Sequence, residues 1–316
     1  MKVFIAGSTG VLGRRLVRQF LARGHSVLGL VRSEEGEEIV RSIGAEPCRA
    51  DIFDPDSLRK VARGSDAVVH AATSIPLKVR LKASDWLMND KIRRDGTKAL
   101  ATCAGKIGAK LFLIESIVWL ARPVDGSSFD EETPANPDNI TRSMLEGEQI
   151  ARGASEKFGF KLSVLRCGLF YSSDASHTRL FGDYLLRRRL PVIGKGDAVW
   201  SLLHLDDAAE AFVTVAEAGR AGLWNVVDDK PVAVTDFLRY FARSLNAPPP
   251  RSIPAWLARI IAGKYAVSLF TQSVRTSNSL FRNELGWVPR FPSYKEGLDE
   301  VVEMWKSEGF PGLKRA

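Results

Sequence analysis

The stretch Gly7-Ser8-Thr9-Gly10-Val11-Leu12-Gly13 has the residue types and spacing to hold an anion. Its glycines allow a tight turn and let a pyrophosphate approach the backbone. A helix opening at the end of the run then offers free N–H groups and its positive pole to the phosphates. A glycine pattern alone means little. This one follows an apolar strand-like run and opens an amphipathic helical one, which predicts a dinucleotide site. The next apolar run ends Leu30-Val31-Arg32. An acidic side chain there would bind both ribose hydroxyls, whereas Arg32 can pair with a 2′-phosphate, so NADP(H) is expected in preference to NAD(H). Asp51 and Ile52 follow the third strand, placed either to meet the adenine or to cap a turn. Ala71 and Ala72 are small enough for a cofactor to lie close, while the preceding His70 reads as a packed histidine.

Side chains able to move a proton or orient a carbonyl are fewer. Ser116 and Tyr171 are catalytic candidates only through the places they hold in a family resemblance that the motifs together carry; a lone serine can orient a carbonyl but is a poor acid. Glu115, Asp174, His177, Tyr184 and Trp200 are expected around the substrate cleft. Glu115 reads equally as half of a structural salt bridge, and Tyr171 equally as a packing aromatic. The four histidines have no Cys or carboxylate partners at ligand spacing, so no metal is expected.

These residues need a frame. The 316 residues are 45% hydrophobic and 26% charged, enough for a large core. Short apolar runs at Val3–Gly7, Ser26–Val31, Ala67–Ala71, Lys110–Ile114 and Leu162–Arg166 alternate with helical patterns near Gly13–Arg23, Glu34–Ile43, Pro55–Ala62, Asp90–Ile107 and Arg142–Lys157. That alternation predicts an α/β fold: a Rossmann-type, doubly wound parallel sheet with helices on both faces. After Arg166 the rhythm breaks. Residues 1–166 with about 197–230 are expected to form the dinucleotide-binding domain, and about 167–196 with 231–316 a smaller, mostly C-terminal substrate lobe. Net charge is +8, with a dense run at Arg187-Arg188-Arg189, but no nucleic-acid motif accompanies it. The three cysteines fit no disulfide framework, and no apolar run reaches about 18 residues. A reducing, cytoplasmic setting follows as an expectation, with a small-molecule substrate and neither membrane nor nucleic acid as partner.

Taken together, the Gly7/Gly10/Gly13 loop, Asp51-Ile52, His70-Ala71-Ala72, Asp95-Gly96-Thr97, Ser116, Arg142-Ser143-x-Leu145-Glu146-x-Glu148, Arg166-Cys167-Gly168, Ser201-x-x-His204-x-Asp206-Asp207 and Trp224-Asn225-Val226 resemble the extended short-chain dehydrogenase/reductase family of NAD(P)-dependent epimerases and dehydratases. The resemblance spans nearly the whole chain. It implies that substrate binds between the sheet's strand ends and a small lobe. It also implies a Ser–Tyr–Lys proton-transfer set, of which Ser116 alone is matched: Ile140 stands at the Tyr position and Met144 at the Lys position. Arg93 stands where the family has an Asn. Trp200 stands where nucleotide-sugar enzymes carry a diphosphate-gripping Arg, which argues against such substrates. Two helical segments, Asp90–Ile107 and Arg142–Lys157, correspond to those that pair in dimers of relatives, with Leu100, Cys103 and Ile107 on one face. Burial within the monomer explains that face equally well. The expected activity is an NADP(H)-dependent oxidoreductase acting on a small carbonyl or conjugated substrate with a non-standard proton donor. A non-redox lyase, isomerase or cyclase, and a non-catalytic NADP(H) sensor or assembly protein, remain open alternatives.

Overall fold

A computed structural model describes residues 1–78 and 80–311. Its frame begins with β1 (Lys2–Ala6), β2 (Ser26–Val31), β3 (Glu46–Arg49), β4 (Ala67–His70), β5 (Leu111–Ile117) and β6 (Lys161–Cys167). Four short strands follow, β7 (Leu169–Tyr171), β8 (Val192–Ile193), β9 (Val199–Trp200) and β10 (Leu202–His204). Then β11 (Gly222–Val226) rejoins the frame, ahead of β12 (Val232–Ala233) and β13 (Ser252–Ile253). The main sheet has seven parallel strands in the order β11-β6-β5-β4-β1-β2-β3. Strand order reverses between β1 and β4, which opens a crevice at the carboxyl ends of those strands, beside the glycine loop.

Continuous apolar runs suit strands covered on both faces. Side chains alternate along each strand, so Val3, Ile5, Val69, Leu113 and Leu165 pack under the helices Val11–Ala22 and Leu205–Ala218. Phe4, Val68, Phe112, Ile114 and Val164 pack under Pro55–Val61, Thr97–Ile107 and Arg142–Phe158. Leu100 and Cys103 are fully buried in this second layer and Ile107 packs partly buried against it, so the sheet within the monomer covers their shared face.

The expected helix Asp90–Ile107 is longer and interrupted. It starts at Leu87, passes through a π-helical turn at Ile92–Gly96, and continues as Thr97–Ile107. Such turns concentrate where a helix must aim a side chain out of register. Here the turn carries Arg93. A separate core gathers Trp119, Phe129, Tyr171, Trp200, Phe237, Phe241, Phe270 and Trp305, joining the β7–β10 region to the C-terminal helices Val234–Ser244, Ala255–Thr271 and Tyr294–Glu308.

Candidate functional site

The glycine loop is shaped by what its neighbours leave room for. Gly7 has φ +92°, and a β-carbon there would lie 2.6 Å from the Ala71 carbonyl oxygen. A β-carbon on Gly13 would lie 1.9 Å from the Gly7 carbonyl oxygen. Both positions therefore exclude any side chain, and they draw β1, β4 and the first helix together. Gly10 caps that helix, its N–H donating to the Gly7 carbonyl at 3.0 Å. The N–H groups at the start of the helix Val11–Ala22 have no intrahelical partner, as in any helix, and point out of its N-terminus. Ser8 is fully buried and its hydroxyl donates to the Leu30 carbonyl at 2.8 Å, so it offers only backbone to a ligand. Thr9 lies half-buried and its carbonyl accepts from Arg14, while Leu12 is buried in the sheet core. A cradle filled by the mere addition of β-carbons fits a close-lying pyrophosphate.

Arg32 is exposed at the end of β2 and has no carboxylate partner among the described residues. Ser33 beside it is spent capping the helix Glu34–Ser42. Asp51 accepts from the Phe53 N–H at 2.9 Å, a turn-capping bond, and is otherwise exposed; Ile52 packs near Gly96. Ala71 is buried against the glycine loop, and Ala72 lies next to it, half-buried.

Buried charge pairs occupy the ends of β5 and β6. Ser116 is 1% exposed and its hydroxyl donates to Glu148 at 2.6 Å. Glu148 in turn takes two bonds from Arg166, at 3.0 and 2.7 Å. Glu115 is held by Arg93 at 2.5 Å, and Arg93 also donates to the Glu115 carbonyl. All four members of these pairs are at most 8% exposed. The Arg93 Nε–H is buried without a partner, as is His70 Nε2. Burial, and then the charge of Arg93, push the His70 pKa down to about 3. Met144 is buried and Ile140 half-buried, one turn apart at the start of the helix Arg142–Phe158 that also carries Glu148.

The remaining candidates scatter. Tyr171 is 2% exposed; its hydroxyl reaches the Ser293 carbonyl at 3.4 Å, and its ring lies edge-on to His204. Burial, followed by the charges of Asp228 and Asp207, pushes the phenol well above its usual range. It is a packing residue rather than a proton donor. Trp200 is likewise a core side chain, fully buried against Phe237 and Phe270, with its indole N–H on the Leu269 carbonyl. His177 bonds the Phe170 carbonyl, and burial lowers its pKa. Asp174 bridges Arg14 and Arg15, each at 2.8 Å. Burial alone would raise its pKa, but the bonds and charges of those arginines hold it below the usual carboxylate range. It ties the loop after β7 to the first helix. Tyr184 is half-buried on the helix Ser176–Leu186. The one His/Cys/Asp/Glu grouping of ligand type among the described residues is His204, Asp206 and Glu300, and Asp206 is already paired with Arg15.

Three features escape a reading of residue types. The pairing of Glu115 with Arg93, and of Ser116 with Glu148, depends on which helix crosses which strand end. Arg275 lines a hollow of about 430 Å³ with Phe129, Thr133 and Ser277, and has no carboxylate partner among the described residues. Only its position between two loop segments, bridged to Ser128, reveals it.

Residues 3–226 match the NAD dependent epimerase/dehydratase family. The chain is 32% identical over 313 residues to a Streptomyces 3-diazoavenalumate denitrifying reductase, covering 94% of this chain and 99% of that protein. It is 24% identical to a Stigmatella aurantiaca 4-hydroxy-2-methyl-3-oxo-4-farnesyl-3,4-dihydroquinoline-1-oxide ketoreductase, covering 95% and 96% of the two chains. Among solved structures, human epimerase family protein SDR39U1 with NADPH superposes with a TM-score of 0.81 at 20% identity, covering 96% of this chain and 99% of that one. That likeness is one of fold.

Proposed function

Because this chain belongs to the NAD dependent epimerase/dehydratase family, we propose that it is an NADP(H)-dependent reductase of a small, conjugated organic substrate whose reduction draws no proton from a Tyr–Lys pair. One observation carries the reading. Among the described residues, the carboxylates, guanidinia and hydroxyl at the ends of β5 and β6 are already paired with each other, and Ile140 and Met144 are apolar. A bound reduced nicotinamide supplies a hydride. The chain's own part is to hold and to exclude. The N–H groups opening the first helix receive the pyrophosphate, Arg32 pairs with the 2′-phosphate, and Ala71 and Ala72 leave room beside them. Met144 and Ile140 keep water out and give no proton.

A site of this kind suits an acceptor that needs hydride alone. An aryl diazonium is one: the hydride pair forms the C–H bond, the C–N bond breaks with its pair leaving as N2, and no proton is consumed. The name of the Streptomyces relative, a denitrifying reductase of a diazo compound, supports this substrate class. Arg275, without a carboxylate partner among the described residues, lines its hollow beside Asp130 and offers a guanidinium to a substrate carboxylate.

The test starts with calorimetric titration of NADPH and NADH, where NADPH is expected to bind at least about tenfold tighter. Turnover follows with 4-deuterated NADPH, offering an aryl diazonium carboxylate and a matched aryl ketone. The expected product is an arene bearing one deuterium at the former C–N carbon, with N2 released. Deuterium entering that carbon from D2O, or turnover of the ketone alone, would overturn the hydride-only reading.

A further inference from the structure

The helix Ala255–Thr271 is apolar almost throughout, yet of its seventeen residues only Ala258 and Phe270 are buried. Trp256, Ile260 and Ile261 stand 60–65% exposed. At Gly263 (φ +84°) the helix kinks, and the side chain of Arg80 lies against the kink, its Cγ 3.4 Å from where a β-carbon on Gly263 would sit. Arg80 belongs to the segment that runs on from Ala72, and that segment exposes Ile75 and Leu77 at 54% and 57%. Leu87 and Met88 follow, also at least half exposed. Among the described residues, all of the large apolar side chains exposed to that degree but Val124 and Val288 lie on these two parts of the chain. Scattered exposed apolar residues need no explanation, but concentration on adjoining segments does.

Charge identifies the occupant. Between Ile75 and Ser84, and between Arg251 and Thr271, there is no Asp or Glu. Lys78, Arg80, Lys82, Arg251, Arg259 and Lys264 lie in those spans, and of them only Lys78 has a carboxylate partner among the described residues, Asp85. A second copy seated face to face would bring the same unpaired cations against each other, since a two-fold contact uses the same patch on both sides. A negatively charged surface with an apolar interior accepts both the cations and the side chains between them. Trp and aliphatic residues set among Lys and Arg are how helices lie in a bilayer interface. We propose that the face built from Ala255–Thr271 and the neighbouring residues Ile75–Lys78 and Arg80–Met88 docks reversibly on an anionic phospholipid surface. The docking is peripheral: among the described residues no helix is long and apolar enough to cross a membrane.

The experiment is co-sedimentation of the full chain with vesicles of phosphatidylcholine alone and of phosphatidylcholine with phosphatidylglycerol, at low and high salt, beside light scattering of the protein without lipid. The wild type should partition at least about tenfold more onto the anionic vesicles, with loss of binding at high salt. Trp256→Glu with Ile260→Glu, and separately Arg259→Glu with Lys264→Glu, should each lower that partitioning at least about tenfold, and all these positions are exposed enough to leave the fold intact. Equal binding to both vesicle types, or binding unchanged in both variants, would refute the proposal. So would a wild-type dimer that Trp256→Glu with Ile260→Glu converts to monomer, since a second copy would then occupy the face.

Discussion

A hydroxyl that has already donated its hydrogen to a buried carboxylate cannot also donate it to a substrate. Ser116 is in that position, so Ser116→Ala is expected to leave kcat within about threefold while lowering stability by about 1 kcal/mol, the worth of one hydrogen bond. Rates and denaturant midpoints measured together check it. Glu148→Ala should be far more damaging. It strands the Arg166 guanidinium, 6% exposed, and a broken buried pair costs about 3–5 kcal/mol. Arg32→Ala should weaken NADPH by about tenfold and NADH hardly at all, read by titration. His70 makes a pH prediction. Folding lowers its pKa from the usual 6.5 to about 3, so below pH 6.5 the unfolded chain takes up a proton that the folded chain refuses. Its contribution therefore destabilises the fold progressively as pH falls from 6.5 towards 3, and His70→Gln should flatten the fall between pH 7 and 5 in chemical denaturation. Residue types alone picked out the tight turn of the glycine loop, because its sterics act where those residues stand; the part of Arg32 belongs to the proposed 2′-phosphate contact. Residue types did not carry Ser116, Tyr171 or Trp200. A serine bonded to a glutamate 32 positions away, and a phenol closed in by the segment around Ser293, read in sequence just as free ones would.

At the scale of elements, the cofactor cradle depends on three pieces meeting with no atom to spare. Gly13→Ala forces a methyl into the Gly7 carbonyl, so the first helix must move off β1. NADPH binding should be lost in titration even though far-ultraviolet circular dichroism stays near wild type. The strands were legible because β1, β2, β4, β5 and β6 are each built around a mostly apolar stretch whose side chains alternate between two helix layers. The third strand was not delimited: Glu46-Pro47-Cys48-Arg49 is short, polar and carries a proline, as suits an edge but gives no periodic signal. The π turn was also hidden. Its sequence, Ile92-Arg93-Arg94-Asp95-Gly96, is ordinary helix composition, and only the pull of Arg93 towards Glu115 accompanies the change of register.

For the whole molecule, the sheet and the second core are stitched by more than one thread. Asp174 joins the loop after β7 to Arg14 and Arg15 of the first helix, and Asp206 adds a second bond to Arg15. The doubly wound parallel sheet was readable from strand–helix rhythm, but not the number of its strands. The weaving was readable only as a break in that rhythm after Arg166, since the partner of each short strand lies far away in sequence: β9 pairs with β12, and β8 with β13. The position of β11 has a further consequence. It seals the edge of the sheet against β6, yet the chain reaches it only after passing through β7 to β10. During synthesis the Rossmann sheet must therefore wait, one edge open, until Val226 has left the ribosome. A fragment ending before Gly222 would expose β6 as an apolar template for aggregation, and the complete chain should unfold as one cooperative unit rather than lobe by lobe.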